Sequence, residues 1–206
     1  MDKPYFIAIE GIEGVGKTTL TQEVIKYFDQ KNISCRLTRE PGGTQLSEKL
    51  RTILKDKEND IDPITELLLM FASRSHHVNH HIKPLLKKGI SVVSDRYVAA
   101  SYAYQGAGRG IDLQYIKNLD QMACGDVQPD YTILITCPVD VAISRVNSRN
   151  EEIDRFEEEN KSFFERVQQG YLTLAENNDR YIVINSDQSL KDTVKKLRKI
   201  LDDILC

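Results

Sequence analysis

The chain has few of the features that mark exported, membrane-spanning or disulfide-built proteins. Its four cysteines are scattered, and no two of them have the C-x-x-C spacing of zinc knuckles and dithiol redox sites. No apolar run approaches the length of about 18 residues that a membrane helix needs, and no signal peptide precedes the first predicted strand. We therefore expect a cytoplasmic protein with reduced thiols, and neither export nor a membrane partner.

A basic excess and internal boundaries are lacking as well. The net charge of −3 over 206 residues argues against bulk binding of nucleic acid. No repeat, low-complexity tract or Pro/Gly-rich linker divides the sequence. The length and the 40% share of apolar residues predict one domain over 1–206 with a single sizeable core.

Histidine is confined to one segment, His76-His77-Val78-Asn79-His80-His81. The pairs His76/His80 and His77/His81 have the i, i+4 spacing that can clamp a metal ion. However, no Glu stands between them in an H-E-x-x-H pattern, and no acidic third ligand is close in sequence. The segment therefore favours a polar helix face near a binding pocket over a metal site.

Short apolar runs alternate with helical patterns along the whole chain. The Ile90-Ser91-Val92-Val93 run lacks strict alternation, which favours strands that are buried on both faces of a parallel sheet. Apolar stripes with the 3.6-residue period lie between the strands. We predict a three-layer α/β domain in which a five-stranded parallel sheet is flanked by helices. The strand candidates are 5–10, 35–39, 90–94, 131–137 and 181–185.

Residues 11–18 read Gly-Ile-Glu-Gly-Val-Gly-Lys-Thr and fit the phosphate-loop pattern G-x-x-x-x-G-K-[ST] between a predicted strand and helix. The glycines let backbone N–H groups face an anion, and the helix that begins near Lys17 adds its positive dipole end. Lys17 offers a cation to the outer phosphates, and the Thr18 hydroxyl can hold Mg²⁺. We therefore predict a nucleoside triphosphate site. Its predicted residues are Gly11, Ile12, Glu13, Gly14, Val15, Gly16, Lys17, Thr18 and Thr19, together with Arg145.

A second cluster, Arg39-Glu40-Pro41-Gly42-Gly43-Thr44, directly follows a predicted strand. It lies at the carboxyl edge of the sheet, where α/β proteins bind ligands. An ordinary strand-to-helix turn capped by Thr44 explains the glycines equally well, but it does not explain Arg39 and Glu40.

Asp95-Arg96-Tyr97 stands at the end of the 90–94 strand. Asp95 occupies the place where phosphate-loop proteins keep a magnesium-ordering carboxylate. Arg96 offers a planar fork that can hold a phosphate with two hydrogen bonds. The alternative is a structural Asp–Arg ion pair.

Phe71 and Arg74 are three residues apart on one predicted helix face. A ring beside a guanidinium describes a platform and a reader for a nucleobase, and it also describes an ordinary core aromatic beside a surface cation. Periodicity leaves both interpretations open.

Three further arginines, Arg145, Arg149 and Arg155, stand in and around the most polar stretch of the chain. Cations at a helix terminus commonly complement its dipole. In a phosphoryl-transfer enzyme they could instead move in and neutralise the transferring group, while the segment excludes water. We therefore predict a mobile lid at about 147–160.

Taken together, these motifs resemble one family, the bacterial type of thymidylate kinase, over essentially the whole chain. A regulatory GTPase would need an N-K-x-D motif, and the nearest string, 160–163, lacks the Asp. The residues that carry the resemblance are Phe6–Thr19, Arg39–Thr44, Leu69–Arg74, Asp95–Tyr97, Ser101–Gly110, Pro129–Asp130 and Asp154–Arg155.

The resemblance implies transfer of the γ-phosphoryl group of ATP to dTMP with Mg²⁺, by a homodimer packed through helices. It implies that Phe71 stacks on thymine, and that Glu13 approaches the acceptor sugar or the lid. A second type of the family has an arginine inside the phosphate loop; here Gly14 stands there, which moves that role to the lid. The implied catalytic residues are Lys17, Arg96, Asp95, Glu13, Arg149 and Arg155. The implied dTMP-binding residues are Arg39, Glu40, Pro41, Arg51, Phe71, Arg74, Arg96, Ser101, Tyr104 and Gln105. The implied metal ligands are Thr18 and Asp95, partly through water.

Two alternatives remain open from the residues alone. A deoxynucleoside kinase would activate a hydroxyl group and so would need a general base, for which Glu13, Glu40 and Asp95 are the candidates. A nucleotide-binding switch would need no acceptor site at all.

Overall fold

Five parallel strands form one sheet in the order β2-β3-β1-β4-β5. The structure is a computed structural model that describes residues 3–149, 152–176 and 178–205. The strands are β1 Phe6–Glu10, β2 Cys35–Arg39, β3 Ser91–Asp95, β4 Tyr131–Thr136 and β5 Tyr181–Asn185. The predicted parallel sheet is therefore confirmed, with small shifts of the strand ends.

Helices cover both faces of this sheet in the described part of the chain. The α-helices are α1 Lys17–Gln30, α2 Gln45–Lys55, α3 Pro63–His77, α4 Lys83–Lys87, α5 Val98–Ser101, α6 Leu113–Ala123, α7 Val139–Asn147, α8 Lys161–Ala175 and α9 Leu190–Leu205. Two π-helical segments, Val78–Ile82 and Tyr102–Gly108, continue α3 and α5. None of the described helices has the length and apolar character that a membrane crossing requires.

The central strand β1 divides the core into two layers because its side chains alternate between the faces of the sheet. Ile7 and Ile9 belong to the larger cluster, which α1, α8 and α9 complete. Phe6 and Ala8 belong to the second cluster, which α3 and α6 complete. All of β1 is buried, as a strand between two helical layers requires. The three-layer prediction is confirmed.

The register of the sheet brings three strand ends together. Asp95 is the partner of Ile9 in β1 and of Arg39 in β2, so these strands end at nearly the same level. Asp95 is thus the last residue of β3, one position later than the predicted end of that strand. The phosphate loop, the 40–44 turn and Arg96 all leave the sheet at this edge.

Local sequence signals start the helices that follow. The Thr44 hydroxyl caps α2 by accepting the Ser47 N–H, and the Asp62 carboxylate caps α3 by accepting two backbone N–H groups. Asn160 caps α8 in the same way. The Thr44 cap agrees with the interpretation of 39–44 as an ordinary strand-to-helix turn. It does not involve Arg39 or Glu40, whose presence the cap therefore does not explain.

The predicted lid lies between α7 and α8, and residues 150 and 151 of it are outside the described part of the chain. Its described portion contacts the end of α2. The Arg155 N–H donates to the Lys55 carbonyl over 3.3 Å, and Lys55 forms an ion pair with Asp154 at 2.8 Å. Phe156 is buried against the larger core cluster. This segment is therefore packed, and its mobility stays a prediction.

Helix α8 packs closely on the Tyr102–Gly108 segment, which carries pocket residues described below. The closest approach is at Gly170, where a Cβ atom would lie 2.6 Å from the Ala107 Cβ and 3.3 Å from the Ala103 Cα. Neither neighbour is a flexible side chain that could move aside. A larger residue at this position must push the two elements apart.

We expect Gly170→Val to lower the free energy of unfolding by about 2 kcal/mol, because overpacking a rigid contact typically costs about 1–3 kcal/mol. In a chain of this size that loss lowers the Tm by roughly 4–8 °C. Thermal unfolding of Gln169→Val is the matched control, since Gln169 is on the exposed face of the same helix. Equal Tm values for the two variants would contradict the close contact.

Candidate active site

The phosphate loop spans residues 11–16, between the end of β1 and the start of α1. The side chains of Ile12 and Val15 are buried in the core, so these two residues can offer only their backbone to a ligand. From the far side, the Ser186 hydroxyl donates to the Val15 carbonyl (2.8 Å), and Arg145 contacts the Gly14 carbonyl (3.5 Å). The loop is therefore supported from behind, and Arg145 lies beside it as predicted.

Lys17 folds back over this loop, where its ammonium group donates to the Ile12 carbonyl at 2.7 Å. Burial and the nearby positive charge of Arg96 together lower the pKa of Lys17 to about 8, against the opposing effect of Glu13. An anion that binds in front of the loop would restore the ordinary charge balance of this lysine.

A large open cleft lies in front of the loop, and we call it the large cleft. It is lined by Lys17, Thr18, Arg39, Asp95, Arg96, Arg149 and several neighbours. Thr19, by contrast, is an exposed residue of the first turn of α1 and does not line the cleft. The predicted cations for a triphosphate are thus gathered on one surface with the two predicted metal ligands.

The oxygen donors of Thr18 and Asp95 suit a hard divalent cation. Among the described residues, no group of three His, Cys, Asp or Glu side chains is placed to hold a metal by itself. A cation there would take its other ligands from water and phosphate oxygens, which is how Mg²⁺ is commonly held beside a nucleotide. The residues present therefore fit Mg²⁺ bound together with a phosphate ligand.

Arg96 is the most constrained side chain of the site. Its φ of 69° is unusual for a residue with a Cβ atom, and such backbone strain clusters at functional positions. The guanidinium donates to the Gly11 carbonyl, to Glu13, and to the Tyr171 and Tyr104 hydroxyl groups. In the described structure Arg96 thus forms its ion pair with Glu13 and not with Asp95, which answers the alternative left open by the sequence.

Glu13 joins the phosphate loop to the acceptor side. It accepts hydrogen bonds from Arg96 and from the Tyr104 hydroxyl. Burial alone would raise the pKa of Glu13, but the Arg96 and Lys17 charges outweigh it and lower the pKa. Glu13 is therefore an anion that fixes two side chains of the neighbouring pocket.

Behind Arg96 lies a second buried carboxylate, Glu10. It accepts hydrogen bonds from the Tyr171 hydroxyl and the Tyr97 N–H, both at 2.8 Å. Burial raises the pKa of Glu10 to about 7, against the opposing charge of Arg96. Sequence reasoning missed this layer because nothing separates Tyr171 from Phe164 and Val167, the apolar residues of the same helical stripe.

A smaller, more enclosed pocket adjoins the large cleft, and we call it the inner pocket. The two share Glu13, Glu40, Arg51, Lys55, Arg96 and Asp154 in their walls. The remaining lining residues of the inner pocket are Pro41, Met70, Arg74, Ala100, Ser101, Tyr104, Gln105 and Phe156. Every predicted dTMP-binding residue lines one of these two spaces, with the single exception of Phe71.

The prediction that Phe71 offers a stacking face is wrong for this structure. Phe71 is buried in the second core cluster, and the Arg74 guanidinium lies over its ring at 4.7 Å. Met70 lines the inner pocket in its place. The physical reason is packing: Met70 and Phe71 are both spaced to share a helix face with Arg74, but the second core cluster buries Phe71 and leaves Met70 to line the pocket.

Polar side chains of the inner pocket are held by buried acids. Arg74 donates to Glu40 (2.6 Å) and to the Ser101 hydroxyl (2.9 Å). The Gln105 amide donates to Glu66 at 2.8 Å. Glu66 is almost fully buried, and it also forms ion pairs with Arg109 (3.2 Å) and Arg155 (2.8 Å).

The two lid arginines, Arg149 and Arg155, occupy different places. Arg149 lines the large cleft and forms an ion pair with Glu157 at 2.8 Å. Arg155 lines neither space; it contacts Glu66 and the Leu54 carbonyl (2.9 Å) instead. The structure therefore brings Arg149 to the phosphate loop and uses the predicted catalytic Arg155 to attach the lid.

The histidine segment does not form a uniform polar face. His76 and His80 stack on each other, and so do His77 and His81. His77 is completely buried, with its ring nitrogens 2.9 Å from Glu40 and 2.6 Å from the Thr38 hydroxyl. The predicted polar helix face near a binding pocket does not describe His77, because its ring is enclosed by the strand-end turn and contacts Glu40 of the inner pocket.

Comparisons with known proteins agree with this geometry. The family model described as thymidylate kinase matches residues 9–197. Thymidylate kinase of Vesicomyosocius okutanii is 42% identical over 203 residues, which are 98% of both chains. Thymidylate kinase of Neisseria gonorrhoeae is 41% identical over 201 residues, 97% of both chains. The crystal structure of thymidylate kinase from Ehrlichia chaffeensis matches with a TM-score of 0.79 and 33% identity, covering 98% of this chain and 99% of that one.

The raised pKa of Glu10 predicts a loss of stability as the pH rises. Between the ordinary pKa near 4.5 and the folded-state value of about 7, the unfolded chain ionises while the folded chain keeps its proton. We expect this to cost about 3 kcal/mol between pH 4.5 and 7.5, from ~1.4 kcal/mol per pH unit.

Urea unfolding of wild type and Glu10→Gln at pH 5, 6, 7 and 8 checks this. The neutral amide cannot ionise, so the variant should gain on wild type as the pH rises through this window. Glu165→Gln is the matched control at an exposed position. Parallel curves for wild type and Glu10→Gln would contradict the assignment.

Proposed function

Because the chain belongs to the thymidylate kinase family, we propose that it transfers the γ-phosphoryl group of ATP to dTMP and so forms dTDP and ADP for dTTP synthesis. The observation that carries the proposal is the junction of the two spaces. The large cleft and the inner pocket meet at Glu13 and Arg96, directly beside the phosphate loop. A donor and an acceptor phosphate can therefore face each other there.

On the donor side, we assign the triphosphate of ATP to the phosphate loop. Lys17 would leave the Ile12 carbonyl and contact the outer phosphates, while Arg145 keeps the loop in place. The side chains of Thr18 and Asp95 would hold Mg²⁺, partly through water. The ion would neutralise part of the charge on the phosphoryl group in transfer.

On the acceptor side, the inner pocket suits thymine. Gln105 commits its amide N–H to Glu66, which leaves its carbonyl oxygen for the N3–H of the base. Arg74 can donate to O4, where cytosine carries an amino group that would face N–H donors instead. Met70 forms the apolar wall, and Tyr104 lies where a ribose 2′-hydroxyl would stand.

The acceptor phosphate would contact Arg39, Arg51 and Arg96 at the mouth of the pocket. Of these, Arg51 is partly committed to the turn, since it donates to the Pro41 carbonyl at 2.9 Å. Glu40 and Pro41 then act by shaping that turn. Four groups already hold the Arg96 guanidinium in place. Its Nε–H is the donor that these contacts leave for a phosphate, and a second hydrogen bond would require displacement of one of the tyrosine hydroxyl groups.

The reaction requires alignment and charge neutralisation more than a base. The nucleophile is a phosphate oxygen that is already ionised at neutral pH, so Asp95 and Glu13 need not remove a proton. The pKa of Glu13 is lowered despite its burial, which makes it a weak base and suits it to fixing Arg96 and Tyr104. Exclusion of water then prevents hydrolysis of ATP.

We assign the water-excluding role to a mobile lid at about 147–160. Arg149 would contact the transferring phosphoryl group when the lid closes. Arg155 would stay on Glu66 and act as the attachment of the lid to α3. In this proposal the lid is the moving segment of a single domain. Its acidic stretch, Glu157 to Glu159, forms ion pairs to Arg149 and Arg109.

We also propose a homodimer in which α2, α3 and α6 pack on a second copy. These helices lie side by side and expose large apolar side chains, which soluble monomers rarely group together. Spacings of four or seven residues keep the side chains on one face of each helix. They are Leu46 and Ile53 on α2, Ile64 and Leu68 on α3, and Tyr115 and Met122 on α6.

The thiols and the charge support a cytoplasmic enzyme without a nucleic-acid partner. Burial raises the pKa of Cys35 and of Cys124 to about 12, so neither free thiol is reactive at neutral pH. The net charge of −3 gives no general attraction to a polyanion.

Turnover of ATP with a panel of acceptors tests the activity. We expect the highest kcat/KM with dTMP and at least about a hundredfold lower value with dCMP and AMP, because their ring substituents leave buried polar groups unpaired. Thymidine should not be a substrate, since its hydroxyl needs a base. Preference for thymidine would support a deoxynucleoside kinase, and ATP binding without any turnover would support a switch.

Sedimentation equilibrium tests the dimer. We expect wild type to be a dimer and Leu68→Glu to be a monomer, because the change would bury a charge at the centre of an apolar interface. Leu190→Glu is the matched control, as Leu190 is equally exposed but lies on α9. A dimeric Leu68→Glu variant would refute the proposed face.

A further inference from the structure

We propose that His77 is a positioning residue for base recognition: it orients Glu40, and Glu40 fixes Arg74 at the inner pocket. The inference rests on the proposed function, in which Arg74 contacts the base. It assigns a role to the one histidine of the 76–81 segment that is completely buried.

The contacts form one unbroken chain of hydrogen bonds. One ring nitrogen of His77, Nδ1, is 2.9 Å from Glu40 Oε1, and Glu40 Oε2 accepts the Arg74 Nε–H at 2.6 Å. Arg74 then donates to Ser101 Oγ (2.9 Å) and to the Tyr97 carbonyl (3.0 Å). Three of the five N–H groups of Arg74 thus have partners in the described structure, and N–H groups on Nη1 and Nη2 remain for a ligand.

Charge and tautomer follow from these partners. Glu40 as a carboxylate can only accept, so His77 Nδ1 carries the proton that is donated to it. The other ring nitrogen, Nε2, lies 2.6 Å from the Thr38 hydroxyl, and we assign it as the acceptor. A neutral imidazole leaves one buried carboxylate balanced by one buried guanidinium.

The direction of the Glu40 pKa favours the carboxylate form. Burial alone would raise it, but the Arg74 charge and the His77 hydrogen bond outweigh burial and lower the pKa. Without the imidazole, one oxygen of a buried carboxylate would lose its partner, which the protein tolerates poorly. Glu40 would then be free to rotate, and Arg74 with it.

No neighbouring group can move in beside the His77 ring because the 40–44 turn closes directly on it. Gly43 has a φ of 82°, and a Cβ atom there would lie 2.4 Å from His77 Nε2 and 2.5 Å from Thr38 Oγ1. Backbone and imidazole are therefore in contact, with no space for water or another group between them.

Two variants of the whole protein distinguish a positioning role of the His77 hydrogen bond from a merely space-filling role of the ring. In His77→Asn the amide N–H can replace the Nδ1 donor to Glu40, whereas in His77→Gln the amide reaches the Thr38 side and that donor is lost. We expect His77→Asn to keep the dTMP KM within about threefold of wild type. We expect His77→Gln to raise the dTMP KM about 10- to 100-fold, as loss of a hydrogen bond to a charged group does. The kcat and the ATP KM should stay within about threefold in both.

The ratio of kcat/KM for dTMP to that for dCMP is the second readout, and it should fall at least about tenfold in His77→Gln only. His80→Gln is the matched control, because His80 is exposed on the same segment.

If His77→Gln does not fold, Thr38→Val tests the same chain of hydrogen bonds at the Thr38 end. It should raise the dTMP KM severalfold, and an unchanged KM would overturn the inference.

The outcomes also distinguish a failure of this inference from a failure of the proposed function. A wild type that does not phosphorylate dTMP refutes the proposed function, and the inference with it. An active wild type whose His77→Gln variant has an unchanged dTMP KM refutes the inference alone. If both His77 variants lose kcat/KM for dTMP equally, and in proportion to a fall in Tm, His77 has a merely structural role and the inference is overturned as well.

Discussion

The contact on which the site depends is the ion pair between Arg96 and Glu13. It joins a residue of the phosphate loop to the first residue after β3, and so it fixes the distance between the two ligand spaces. Arg96 adopts a left-handed backbone conformation to make this contact, and Gly11, Tyr104 and Tyr171 hold it there. The strain is local, and four hydrogen-bonding partners maintain it from three segments: the phosphate loop, the Tyr102–Gly108 segment and α8.

The parallel sheet makes such a junction possible. β1, β2 and β3 end at the same level, so the three loops that follow them lie close together at one edge of the sheet. The donor side is built mainly from local sequence, a loop followed by its own helix. The acceptor side combines segments that lie far apart in sequence, from Glu13 to Phe156. It relies on buried acids to align them: Glu40 for Arg74 and Glu66 for Gln105.

This difference explains how much the sequence could reveal. Apolar patterns and the phosphate loop predicted the sheet, the layers and the donor cleft, because each depends on neighbouring residues. Met70 and Phe71 differ by one position on a helix, and only the packing of that helix decides which of them faces the pocket. Arg149 and Arg155 look equivalent in sequence, but a buried partner at Glu66 attracts one of them. Tyr171 and His77 act through distant partners, for which no local pattern exists.

Glu66 has a consequence for any attempt to redesign the base preference. This single carboxylate accepts from Gln105, which lines the inner pocket, and it forms ion pairs with Arg109 and Arg155, which lie outside that lining. Replacing Gln105 with a residue that reads another base would leave Glu66 to redistribute its remaining hydrogen bonds between two arginines, one of which anchors the lid. A change at Gln105 would therefore also affect the position of the lid. A new base specificity must be introduced together with substitutions that compensate at Glu66 and its two arginines.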